Sequence, residues 1–292
     1  MVWRQFVMEL GTLPADRVEE MFVKHGALAV TFTDASDTPV LEPLPGETPL
    51  WRNTRITGLF SADANFEPLQ ADLKKSFKLI SLPPHHLENL PDRVWEREWL
   101  RDFRPMPFGR RLWVCPGGFT VDADDAVVVR LDPGLAFGTG THPTTALGLE
   151  WLDSLDLAGA RVLDFGCGSG ILAIAALLLG ARAATALDID PQALLATREN
   201  ARRNAVDRRL ETTLDAGTLS GEFDIVVANI LAGPLARHAH TICRQLTSGG
   251  TLLLSGILDD QIDEVRNAYG EWIDFEPPTL RTPWVRLTGT RI

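Results

Sequence analysis

Residues 162–171 read Val162-Leu-Asp-Phe-Gly-Cys-Gly-Ser-Gly-Ile171. Val162 to Phe165 is apolar except for Asp164, the pattern of a strand covered on both faces. Glycines at 166, 168 and 170 permit a tight turn and a close approach of backbone to a ligand. A helix is predicted at once, over Ile171–Leu179, the longest apolar run of the chain. The spacing is G-x-G-x-G with an acid two residues ahead, whereas the dinucleotide fingerprint is G-x-G-x-x-G. No Gly-Lys-Ser/Thr follows, which excludes a nucleotide-triphosphate P-loop. Asp164 would repel a pyrophosphate, so the turn suits a ligand with a cationic or neutral group beside it.

Around this turn, strands and helices alternate. Strands are expected at 161–165, 184–189, 210–214, 223–230 and 251–255, and helices at 171–179, 191–204, 234–246 and 259–269. That alternation predicts a parallel sheet covered on both faces, with ligands at the carboxyl ends of its strands. Strands at Trp272–Phe275 and Trp284–Thr288 have no helix between them and are expected to form an antiparallel edge. Asp188 ends the second strand, 22 residues after Gly166, where a carboxylate can accept both hydroxyls of a ribose. Asp190 competes for that role, but Pro191 follows it, and Asp-Pro reads as a helix cap.

Ahead of this region, a strand at Val2–Leu10, a helix at Pro14–Lys24, strands at Ala27–Phe32 and Thr54–Phe60, a helix at Phe66–Phe77 and a short strand near His86 are expected. This β-α-β-β-α-β order is the ferredoxin-like α+β pattern. Residues 1–90 are therefore read as a small separate domain, 91–103 as a connecting helix bearing Trp95 and Trp99, and 104–292 as the α/β domain. Nothing in the first domain looks catalytic.

Asp164, the alternating glycines and the strand-end Asp188 resemble the seven-stranded, Rossmann-like class of S-adenosylmethionine-dependent methyltransferases. The resemblance implies that Asp164 and Gly166 line the methionine portion and that Asp188 holds the ribose. Asn229 ends the fourth strand in Asn229-Ile-Leu-Ala-Gly-Pro234. A polar amide at a strand's carboxyl end is a site candidate, and a cap for the next helix is the competing reading. The Pro-Pro-aromatic that often follows such an Asn is missing, which disfavours base amines and glutamine amides and leaves aliphatic amines.

The loop Leu131-Asp-Pro-Gly-Leu-Ala-Phe-Gly-Thr-Gly-Thr-His-Pro-Thr-Thr145 narrows the resemblance further. It is too rich in Gly and Thr for a strand, and Pro143 starts a helix expected to reach Leu155. Together with residues 164–170, residues 229–234, Glu42-Pro-Leu-Pro-Gly-Glu47 and Trp95-Glu-Arg-Glu-Trp99, this loop is similar to the ribosomal protein L11 methyltransferase family, PrmA, over essentially the whole chain. The resemblance implies cofactor contacts at Phe137, Gly138, Thr141, Thr145, Asp164, Gly166, Gly168, Asp188 and Asn229. It implies S-adenosylmethionine as cofactor and ribosomal protein L11 as substrate partner. It also implies an N-terminal domain that captures the substrate, and methylation of the α-amine and lysine ε-amines up to the trimethyl state. Asn229 is the candidate catalytic residue, orienting the amine. His142 could act as a base, but a His before Pro at a helix start more often caps or packs.

Composition agrees. With 28 basic and 39 acidic residues the net charge is −11, unsuited to nucleic acid by bulk attraction. Residues 1–100 alone carry 10 basic and 15 acidic side chains, favouring a basic protein partner. Cys115, Cys167 and Cys243 are scattered and odd in number, so a cytoplasmic chain with reduced thiols is expected. Arg4, Gln5 and Glu9 interrupt the N-terminus, which is not expected to be a signal peptide. His85-His86 and His238-Ala-His240 have no third ligand in sight, so no metal is expected. The alternatives are an amine methyltransferase of this fold acting on another protein or a small molecule, a cofactor-binding protein without activity, and, more distantly, a dehydrogenase.

Overall fold

The computed structural model describes residues 3–36, 50–90, 104–132, 140–219 and 221–292. The expected connecting helix at 91–103, the 37–49 loop and residues 133–139, which include Phe137 and Gly138, lie outside the described residues. The chain divides into two units, Met1–Glu98 and Trp99–Ile292.

The first unit runs β1 (Trp3–Glu9), α1 (Ala15–Lys24), β2 (Ala29–Asp34), β3 (Thr54–Phe60), α2 (Glu67–Ser76) and β4 (His85–Leu90). The strands form an antiparallel sheet in the order β2-β3-β1-β4. Period-two alternation sends Phe6, Met8, Ile56 and Phe60 to one face, where Val18 and Phe22 of α1 and Leu69 and Leu73 of α2 meet them. Each helix thus buries one stripe, its residues four apart. Lys24 and His25 both reach Asp72, joining the end of α1 to α2.

The second unit begins with a three-stranded sheet that the sequence reading missed: β5 (Met106–Phe108), β6 (Leu112–Cys115) and β7 (Val127–Arg130). There follow α3 (Pro143–Ser154), β8 (Arg161–Phe165), α4 (Ile171–Leu178), β9 (Ala183–Leu187), α5 (Pro191–Arg203), β10 (Leu210–Thr213) and β11 (Phe223–Asn229). The chain ends with α6 (Ala232–Arg237), α7 (Ala239–Cys243), β12 (Leu246–Leu258), α8 (Ile262–Tyr269), β13 (Ile273–Phe275), β14 (Thr279–Arg281) and β15 (Trp284–Arg291).

The large sheet has the order β10-β9-β8-β11-β12-β15-β13, with β14 also pairing β15. β8 to β12 are parallel, and β15, β13 and β14 form the antiparallel edge. Val162, Ile225, Val227 and Leu253 face a core built on α3, α4 and α5, while Leu163, Phe165, Val226, Ala228, Leu252 and Leu254 face a second core with α6, α7 and α8. α4 is buried along Ile171–Leu177 because it is apolar on every side. The fold is thus a mixed α/β one with a large mixed sheet and helices on both of its faces.

Three expectations need correcting. The single helix at 234–246 is two short helices that meet at His238, where the backbone leaves helical geometry (φ −97°, ψ 9°). β12 is far longer than Thr251–Ser255, because its start pairs with Phe223 and its end with Trp284. The edge holds a third short strand, β14, beside β15.

Candidate functional site

The order of the large sheet reverses between β8 and β11, since β9 and β10 lie on one side of β8 and β12 on the other. A crevice forms at such a switch point, outside the carboxyl ends of the strands. β8 runs there into the glycine turn, Asp188 directly follows the last residue of β9, and β11 ends in Asn229.

Gly166, Gly168 and Gly170 all have positive φ, at 79°, 54° and 76°. The turn is pinned to β9 by Gly166 N–H and Cys167 N–H, which donate to Leu187 O at 2.8 and 3.0 Å. Gly168 N–H donates to Asp188 Oδ2 at 2.8 Å, and Asp190 N–H to Asp188 Oδ1 at 3.0 Å. Both oxygens of this half-buried carboxylate are therefore fixed, and each keeps a lone pair for a further donor. Asp190 instead caps α5, accepting from Gln192 N–H at 2.8 Å, with Pro191 in the first helical turn.

Asp164 is 2% exposed, and its Oδ2 accepts from Ala173 N–H in the first turn of α4 at 3.0 Å. Burial raises its pKa from 3.8 to about 7; the Ala173 amide works against that shift and the Asp188 charge adds to it. A cation placed beside this carboxyl would draw it into the charged form.

Asn229 lies beyond Ala228, which pairs with Phe165 of β8. Its Nδ2 donates to Thr145 Oγ1 at 3.3 Å, and Thr145 is fully buried in the first turn of α3. On the neighbouring strand, Ser255 Oγ donates to Thr144 O at 3.2 Å, a second tie between the sheet and that turn. His142 caps α3, its Nδ1 accepting from Thr144 N–H, while its ring packs edge-on against Trp284 at 4.9 Å. Burial lowers its pKa, which keeps the ring neutral and able to accept. Thr141 is exposed just ahead of this cap.

The structure thus brings Gly168 to Asp188, Asp164 to α4 and Asn229 to Thr145. Sequence reading missed the residues that hold them. Ile230 is wedged between two glycines: its Cγ2 would lie 2.3 Å from a Cβ at residue 166, and its carbonyl oxygen 2.3 Å from one at residue 256. From α5, Thr197 Oγ1 donates to Gly168 O at 3.0 Å and Asn200 Nδ2 to Ser169 O at 2.9 Å. Ile189 is 89% exposed, and Leu214 and Leu231 are also exposed, each one residue or two beyond the end of a strand at this edge. A glycine directly after the expected strand 251–255 was the one available signal for Gly256. Among the described residues, no group of three or more His, Cys, Asp or Glu side chains could hold a metal ion. No helix among them is long and apolar enough to cross a membrane.

Residues 2–292 match the family model described as ribosomal protein L11 methyltransferase (PrmA). The ribosomal protein L11 methyltransferase of Methylococcus capsulatus is 51% identical over 291 residues, covering 99% of each chain. That of Alteromonas mediterranea is 50% identical over 291 residues, covering all of both. The crystal structure of a ribosomal protein L11 methylase from Lactobacillus delbrueckii subsp. bulgaricus superposes with a TM-score of 0.60 at 31% identity, covering 65% of this chain and 99% of that one. With the match unbroken from residue 2 to the last, the chain belongs to the ribosomal protein L11 methyltransferase (PrmA) family.

Proposed function

We propose that this chain is an S-adenosylmethionine-dependent protein N-methyltransferase whose substrate is ribosomal protein L11, and that it modifies the α-amine and lysine ε-amines up to the trimethyl state. Family membership along the whole chain supports the substrate. One arrangement carries the chemistry: at the switch point, a glycine turn bonded to an acid at the end of the next strand lies beside a strand-end amide held by a buried threonine.

The residues present fit the cofactor. Asp188 retains acceptor capacity for two ribose hydroxyls. Asp164 is an acid in a buried, largely apolar setting and suits a cationic group. Ile189 and Leu214, exposed at the ends of β9 and β10, offer apolar surface to a flat aromatic base. Thr141 and Thr145 lie on the Gly- and Thr-rich run, and Phe137 and Gly138 belong to the same proposal through the family resemblance alone. When bound, the cofactor supplies the electrophilic methyl group.

Asn229 orients the attacking nitrogen. Thr145 takes its Nδ2, so its Oδ1 is the side left to accept an N–H from the substrate amine. A lysine amine arrives protonated, with a reference pKa of about 10.4, and must shed a proton to attack. A partly desolvated crevice favours the neutral form, so no dedicated strong base is required. Positioning is the main demand on the protein, since displacement at a methyl carbon needs an in-line approach.

We read residues 1–90 as a ferredoxin-like capture domain, 91–103 as the connection and 104–292 as the seven-stranded methyltransferase domain. The β-α-β-β-α-β order with strands arranged β2-β3-β1-β4 supports the first reading, and the seven-strand path of the large sheet supports the last. The net charge of −5 over residues 1–100 favours a basic partner. A cytoplasmic location accords with a ribosomal substrate and three free, buried cysteines.

The test is methyl-transfer mass spectrometry with S-adenosylmethionine and unmodified ribosomal protein L11, mapped by peptide. Added methyl masses on the α-amine and lysines are expected. Cofactor binding without transfer to L11 would shift the substrate to another protein or a small amine. Absence of cofactor binding would overturn the reading of the glycine turn.

A further inference from the structure

We propose that Thr197 is a positioning residue for cofactor binding, its hydroxyl fixing the Gly168 carbonyl and so the backbone conformation in which the Gly168 N–H aims the Asp188 carboxylate. The inference rests on the reading of Gly168 and Asp188 as cofactor contacts. Thr197 is fully buried within α5, so it acts through the turn and not on a ligand. Its Oγ1 donates to Gly168 O at 3.0 Å. A hydroxyl has one hydrogen, so the Cys167 thiol, 3.4 Å away, donates to Thr197 Oγ1. Burial raises the Cys167 pKa, which keeps that thiol protonated and able to donate.

Gly168 is therefore held at both ends. Its carbonyl is fixed by α5, and its N–H donates to Asp188 Oδ2 at 2.8 Å. A threonine inside a helix commonly turns its hydroxyl to the carbonyl one turn back in the same helix, at some cost to helix stability. Thr197 spends its hydroxyl on another segment, 29 residues away. Asn200, three residues on and so on the same helix face, does the same for Ser169 O at 2.9 Å. Without the Thr197 donor, the Gly168 carbonyl loses its partner, the 168–169 peptide gains freedom to rotate, and the glycine that links it to the 167–168 peptide no longer holds the N–H on Asp188 as firmly.

The variants are Thr197→Val, which keeps the shape and removes the donor, and Thr197→Ser, which keeps the donor. Titration calorimetry with S-adenosylmethionine and turnover at saturating cofactor read them out. Thr197→Val is expected to raise Kd about tenfold, the size of one lost hydrogen bond at a partly buried group, with kcat within about twofold. Thr197→Ser is expected to bind like the wild-type chain. Adding Thr197→Val to Asp188→Asn is expected to weaken binding no further than Asp188→Asn alone, because both act on one contact. Wild-type affinity in Thr197→Val, equal weakening by Ser and Val, or full additivity with Asp188→Asn would each overturn the proposal. Should Thr197→Val fail to fold, Thr197→Ala is read by the same criteria against Thr197→Ser. Failure of the wild-type chain to bind S-adenosylmethionine would instead remove the reading of the site on which the proposal stands.

Discussion

Asn229 Nδ2 donates to Thr145 Oγ1 across 3.3 Å, joining the last residue of β11 to the first turn of α3. The bond fixes which side of the amide faces α3. Removing the amide leaves the incoming amine without an aimed acceptor, and a misplacement of about 1 Å at a reacting centre can cost roughly 100-fold in rate. Asn229→Ala is expected to lose kcat on about that scale while retaining measurable cofactor binding. Thr145→Val, which frees the amide to rotate, should lose less. Steady-state kinetics with ribosomal protein L11 check both, and an unchanged kcat in Asn229→Ala removes the orienting role.

Asp188 accepts from Gly168 N–H and Asp190 N–H, so its orientation is set before any ligand arrives. Two further charge-assisted hydrogen bonds to a ribose would make Asp188→Ala bind S-adenosylmethionine at least about tenfold more weakly. The comparison that isolates the ribose uses the 2′-deoxy analogue. The wild-type chain should discriminate against it and Asp188→Ala should not. Equal discrimination by the two proteins would place the ribose elsewhere.

Much of this was legible in the sequence because the signals are local. Asp190-Pro191 reads as a cap and is one, and Pro143 marks the start of α3 with His142 as its cap. The strands at 161–165 and 223–230 follow from short, mostly apolar runs, which a doubly covered sheet buries. What was not legible depends on contacts between distant segments. β5, β6 and β7 are three or four residues long, too short for a period to register. Asn229 and Thr145 are 84 residues apart, and Thr197 looks like any polar residue on a helix until the glycine turn is seen against it. The helix over 234–246 failed because an apolar pattern cannot reveal a break at one residue such as His238.

Ile230 sits between Gly166 and Gly256, and the two glycines protect it in different ways. A Cβ at 166 would meet the Ile230 Cγ2 methyl, which can rotate aside, whereas a Cβ at 256 would meet the Ile230 carbonyl oxygen, which cannot. Gly118 serves as the control: its φ of 86° matches the 84° of Gly256, and nothing lies within 4 Å of its missing Cβ. Gly118→Ala should therefore cost only the left-handed strain, about 1–2 kcal/mol. Gly256→Ala should lower Tm by clearly more, and it should also lower kcat, because Asn229 precedes the displaced residue. Matching Tm values for the two variants would mean that Ile230 is not tightly wedged.

Asp164 makes cofactor binding depend on pH in a direction that can be worked out. Burial holds its pKa at about 7, against 3.8 for the ordinary carboxyl. In the free chain this favours the protonated form, so stability is lost as pH rises from near the unfolded value towards about 7. A cationic ligand needs the charged form, and binding it must release a proton below that pH. The Kd for S-adenosylmethionine is therefore expected to rise up to about tenfold for each unit that pH falls below 7, and to level off above it. The gain in Tm on adding cofactor should accordingly be larger at pH 8 than at pH 6. Asp164→Asn removes the titrating group and should flatten both profiles while weakening binding at pH 8. A steep profile that survives in Asp164→Asn would assign the proton to another group and leave Asp164 a purely structural cap on α4.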